Sequence, residues 1–154
     1  ANGGDVVVQA AFNRADGLDM DQALDRAALH LESMRGKIER GLDDNVAAIG
    51  AIIDDPSIDL RSQAQTLYSL ADGILSVAAM FQRKTLGDIA FSLCDLLQVF
   101  ENANVWADGA VRAHSDAMRL VQAAPDLSFE ERDELLRNLS DMVKLIAMRN
   151  GVSD

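Results

Sequence analysis

Threonine occurs twice in this 154-residue chain, at Thr66 and Thr85, proline twice and cysteine once, and aromatic residues make up only 5%. So little threonine and aromatic content excludes an all-β protein, because strands favour β-branched and aromatic side chains. Cys94, being alone, excludes a disulfide framework and any four-cysteine zinc site. Basic residues are also scarce, 14 against 25 acidic ones, for a net charge of −11. Nucleic acid is therefore not an expected partner, since phosphates are neutralised by clustered Lys and Arg. No apolar run approaches the ~18 residues of a membrane span. What is abundant is Ala, Leu, Asp and Met, with 49% of residues hydrophobic. That supports one domain with a real core. The expectation is an acidic, helical, cytoplasmic protein.

Residues 1–18 carry Gly3, Gly4 and Gly17 and a short apolar run, Val6 to Val8. They read as a flexible tail, with Val6–Val8 or Phe12 available to fill a groove. There is no basic segment followed by a long apolar core, so no secretory signal is expected, and a start at Ala1 reads as processed or truncated. Residues 19–154 read as a single helical-bundle domain.

After Asp19 or Asp21, either able to cap a helix, an apolar stripe runs through Leu24, Ala27, Ala28, Leu31, Met34, Ile38, Leu42, Val46, Ile49 and Ile53. Steps of three and four residues predict one long amphipathic helix, ~50 Å from end to end at ~1.5 Å per residue. Gly36, Gly41 and Gly50 weaken it, with a bend or break expected near Gly41. Asp54-Asp55-Pro56 ends it, because the residue before proline is pushed out of helical geometry. A second helix is expected over 59–82, with Leu60, Ala64, Leu67, Ala71, Ile74, Ala78 and Phe81 inward. Thr85, with Asp88 three residues on, is the expected N-cap of a third helix, whose inner face is Leu86, Ile89, Leu93, Leu96, Leu97 and Phe100. Asn102-Ala103-Asn104 reads as a turn, and a fourth helix from Trp106 stops before Pro125. Ser128 and Glu131 form a capping box for a fifth, and Gly151 suits its C′ position. Short connections between five such helices make an antiparallel all-α bundle, four helices plus a fifth with a long first helix.

Few residues offer chemistry. Neither His30 nor His114 follows a Glu at di-iron spacing, and two His with one Cys are too few for haem or zinc, so neither metal nor cofactor is expected. Cys94, between Leu93 and Leu96, reads as a small buried hydrophobe. Acidic pairs such as Asp43-Asp44 and Glu130-Glu131 fall at helix ends or polar faces, where solvation and the helix dipole account for them. His30 and His114 are alternative phosphoacceptors, a role that needs an exposed imidazole. Opposite the apolar face of the second helix runs a polar line, Gln65, Ser69, Asp72 and Ser76, ending toward Gln82 and Arg83. Gly73 beside Asp72 thins the surface there.

The segment from Ala71 to Gln82, with Leu86, Ile89, Leu93, Asp95, Leu96 and Leu97 after it, resembles a histidine-containing phosphotransfer (Hpt) domain of the kind at the N-terminus of chemotaxis histidine kinases. Ala71, Ile74, Ala78, Phe81, Leu86, Ile89 and Leu93 fall on the family's small or apolar positions. The phosphoacceptor histidine is replaced by Asp72, the lysine by Leu75, the following glycine by Ser76 and the corner glycine by Gln82. The resemblance implies a bundle that keeps a docking surface, Gln65, Ser69, Asp72, Ser76, Gln82 and Arg83, without phosphotransfer chemistry. It implies a receiver domain or kinase as partner. Two other classes stand beside it: an active phosphorelay through His30 or His114, and a homo-oligomeric bundle such as a homodimer. A receiver phosphatase pairing Asp72 with Gln65 or Gln82 is a further enzymatic variant.

Overall fold

The computed structural model describes the backbone of residues 3–152 and the side chains of residues 19–152. Among the described residues the chain is helical and holds no strand. The helices are α1 (Gly3–Asp54), α2 (Ala64–Ala78), α3 (Lys84–Ala103), α4 (Asp108–Ala123) and α5 (Phe129–Arg149). Short 3-10 turns, Leu60–Gln63 and Ala79–Phe81, flank α2. The chain forms two units, Ala1–Ile38 and Glu39–Asp154.

In the first unit the backbone is helical from Gly3, so the segment expected as a tail belongs to α1. Ala10, Ala11, Ala15, Leu18, Ala23 and Leu24 supply strong helix formers around the glycines. The expected groove contacts of Val6–Val8 and Phe12 lie outside the described side chains. Helix α1 is continuous through Gly36, Gly41 and Gly50, without the break expected near Gly41. The apolar stripe from Met20 to Ile38 is exposed, with Leu24 at 59% and Leu31 at 65% of full accessibility.

From Leu42 onward the same stripe is buried. Leu42, Val46, Ile49 and Ile53 join Leu67, Ala71 and Ile74 of α2, Ile89, Leu93 and Leu96 of α3, Val111 and Met118 of α4, and Leu139 and Val143 of α5 in one core. Helix α3 is the central element, packing against α2, α4 and α5. Close approach is visible at Gly73, where a Cβ would lie 2.9 Å from the Asn45 amide of α1. Gly73 thus serves the α1–α2 contact, not the thin surface expected beside Asp72.

Three helix ends share one device. At Gln82, Asn104 and Gly151 the chain enters the left-handed region, with φ of 55°, 53° and 72°. The next amide then donates back five residues: Arg83 to Ala78 (3.0 Å), Val105 to Phe100 (3.0 Å) and Val152 to Ala147 (2.9 Å). These are Schellman ends, and only the last has the preferred glycine. Helix α3 starts at Lys84, with Arg83 at the N-cap position and no side-chain cap bond, so the expected Thr85 N-cap is not used. Thr85 lies inside the helix, and Asp88 instead pairs with Lys84 at 2.8 Å. Ser128 caps α5 as expected: its Oγ accepts from the Glu131 amide (3.1 Å), and the Glu131 carboxylate accepts from the Ser128 hydroxyl (3.0 Å), not from the Ser128 amide as in a full capping box.

Helix α1 has no basic residue in its last turn. Its C-terminal carbonyls, negative by the peptide dipoles, are met by α4. Arg112 donates to the Ile53 carbonyl (3.1 Å), and Arg112 and Arg119 both reach Asp54 (3.3 and 2.9 Å). Gly50 makes room, since a Cβ there would collide with the Arg119 guanidinium.

Candidate functional site

The line read on α2 is on the surface. Gln65, Ser69, Asp72 and Ser76, spaced four, three and four residues apart, are all exposed, while Leu67, Ala71, Ile74 and Ala78 fill the core behind them. A helix of 3.6 residues per turn separates two faces in this way. Ser76 donates its hydroxyl to the Asp72 carbonyl one turn back (2.8 Å). The Asp72 carboxylate itself has no hydrogen-bond or ion-pair partner among the described residues. It stands as a free negative charge at mid-helix.

Gln82 is exposed at the corner, but Arg83 is not part of the open surface. Its guanidinium turns in to Asp43 of α1 at 2.9 Å and is mostly covered. Asp43 also accepts from Gln122 of α4 (2.8 Å). The basic corner therefore ties the start of α3 to α1, which corrects the expectation that Arg83 completes the polar line.

Asp72 lies close enough to α3 to act on it. The thiol of Cys94 is buried, and burial first, then the Asp72 charge, push its pKa up to about 11. Near neutrality Cys94 is a protonated core group, as expected from its place between leucines. On the outer face of α3, Phe91, Asp95 and Gln98 form a second exposed line at similar spacing, with Phe91 59% accessible. The polar pattern of the sequence does not single this line out. Its one signal is that Phe91 follows Ile89 by two residues and so falls off the apolar stripe of α3.

A cleft of about 640 Å³ opens at one end of the α2–α3 pair. Gln65 and Tyr68 of α2, Gln98 and Glu101 of α3, and Arg61 and Trp106 from the connecting segments line it. Phe100 packs against Trp106 with ring centres 4.8 Å apart and planes tilted by 46°, and the indole N–H donates to Asp108. Arg61 is steadied by the Asn104 side chain (2.7 Å). Gln65 is the one residue of the sequence-read line that reaches this cleft.

The two histidines differ. His30 is exposed on α1. His114 has no accessible surface and cannot meet a phosphodonor, which corrects its reading as an alternative phosphoacceptor. Its Nδ1 lies 2.8 Å from the Ala110 carbonyl, which only accepts, so Nδ1 carries the proton. Nε2 then accepts from Ser92 Oγ of α3 at 2.8 Å. Burial lowers the pKa against the opposing pull of the Ala110 carbonyl, so the ring is neutral. Beside it, the buried Ser115 hydroxyl has no partner among the described residues. Among the described residues no group of three or more His, Cys, Asp or Glu is placed to hold a metal ion, and no helix is long and apolar enough to cross a membrane.

No protein-family model, curated protein or solved structure matches the chain.

Proposed function

We propose that this chain is a non-catalytic signalling module of Hpt-like type that docks a receiver domain or a kinase through α2 and α3, in the cytoplasm. The observation that carries the proposal is the unpartnered carboxylate of Asp72, exposed midway along Gln65, Ser69 and Ser76. A phosphotransfer bundle presents an imidazole at that point, whose charge changes with phosphorylation. Here the charge is fixed, and a carboxylate does not relay a phosphoryl group as an imidazole does. The neighbouring line Phe91, Asp95 and Gln98 on α3 adds an exposed aromatic side chain, of the kind enriched at protein interfaces.

The test is titration of the full chain with receiver domains and kinase fragments by calorimetry. Binding that weakens at least tenfold in Asp72→Arg, with Phe91→Ala also weakened, supports the proposal. No binding to any of them, or affinity unchanged in Asp72→Arg, refutes it. The exposure of His30 favours a second reading, phosphoryl transfer through α1. Acid-labile phosphate acquired from a phosphodonor kinase and lost in His30→Gln would support that reading instead.

A further inference from the structure

In the first unit, Met20, Leu24, Ala27, Leu31, Met34 and Ile38 follow one another at steps of four, three, four, three and four. This is the a/d repeat of a coiled-coil seam, with Leu24, Leu31 and Ile38 at a and Met20, Ala27 and Met34 at d. All six are exposed. A helix that leaves such a seam open needs a covering partner. Residues 3–18 cannot supply it by folding back, because they belong to the same continuous helix.

We propose that α1 pairs with α1 of a second copy of this chain, antiparallel, through these six residues. The charges select both the partner and the direction. In an antiparallel pair each a residue meets a d residue, and a single register satisfies every layer: Leu24 with Met34, Leu31 with Ala27, and Ile38 with Met20. That register sets large against small at the Leu31–Ala27 layer. It also brings Asp21 of each copy beside Arg35 of the other, both at flanking e positions, giving two opposite-charge contacts per dimer. A parallel pair loses this match, since Asp21 then lies level with Asp21 and Arg35 level with Arg35. Leu29 falls at f, on the far side of the helix from the seam.

The experiment uses the full chain. Light scattering at about 50 μM gives twice the chain mass, and Leu31→Glu halves it while helical circular dichroism is kept. Asp21→Lys and Arg35→Glu each weaken the dimer, and the double exchange restores it. For direction, Met20→Cys and Ile38→Cys proteins, each with Cys94→Ala, are mixed and oxidised. Met20→Cys cross-links to Ile38→Cys and not to itself. A monomeric wild-type chain, a dimer indifferent to Leu31→Glu, or efficient self-cross-linking of Met20→Cys overturns the proposal.

Discussion

Burial of His114 as a neutral ring makes the fold sensitive to mild acid. The imidazole gives a proton to the Ala110 carbonyl and accepts one from Ser92, an arrangement complete only when Nε2 is bare. Protonation would set an N–H against Ser92 Oγ, forcing that hydroxyl to turn, and would place a charge among apolar groups. The folded-state pKa is therefore below the ordinary value of 6.5. The unfolded chain binds a proton first, so stability from this group is present above pH 6.5 and is lost as pH falls below it. The slope approaches 2.303RT, about 1.4 kcal/mol per pH unit, for as long as the folded ring stays neutral. One unit below the unfolded value, the loss is bounded above by about 1.4 kcal/mol. Urea unfolding at several pH values from about one unit above the ordinary histidine value to about one unit below it, in wild type and His114→Gln, isolates the effect. The variant retains every carboxylate and His30, so their contributions cancel in the difference. The wild type should lose more stability than the variant over this interval. Parallel pH profiles would show that His114 titrates alike in both states and would refute the reasoning.

Cys94 acts at the other end of the scale. Its pKa is pushed up to about 11 from 9.0, so the unfolded thiol ionises first and stability falls as pH rises between these values, a decline that Cys94→Ala should lack in urea titrations. Ser128→Ala removes both side-chain hydrogen bonds at the start of α5 and should cost about 1 kcal/mol by denaturant unfolding. Gln82→Gly relieves a left-handed residue at the α2–α3 corner and should raise stability by about 1 kcal/mol, read as a higher urea midpoint. An unchanged midpoint in either variant would count against the geometry at that helix end.

How far sequence reaches can be judged on single helices. The buried faces of α2 and α3 follow from spacing, because an apolar residue every three or four positions leaves a helix one way to pack. The same rule applied to α1 treats Leu24 and Ile49 alike, yet Leu24 is exposed and Ile49 buried. Periodicity marks a face and is silent on what covers it. Thr85 is not a cap because α3 begins one residue before it, at Lys84, with Arg83 at the N-cap position, a boundary that side-chain patterns do not reveal. Asp72 falls on the polar face that spacing assigns it. Arg83 departs from that face because its partner Asp43 lies in another helix, well upstream in the chain. The cleft at Trp106 joins two segments distant in sequence, 61–68 and 97–106, and no local pattern announces it.

The central position of α3 bears on how the second unit folds. It meets α2 across a tight corner at Gln82 and Arg83 and α4 across a short loop, so much of the core closes between near neighbours in the chain. Such local topology folds fast, within microseconds to milliseconds. The Asp54 contacts with Arg112 and Arg119 span 58 and 65 residues and close larger loops. Loss of α2–α3 contacts should therefore slow refolding, whereas loss of the Asp54 clasp should chiefly quicken unfolding, as the two arms of a urea chevron would report.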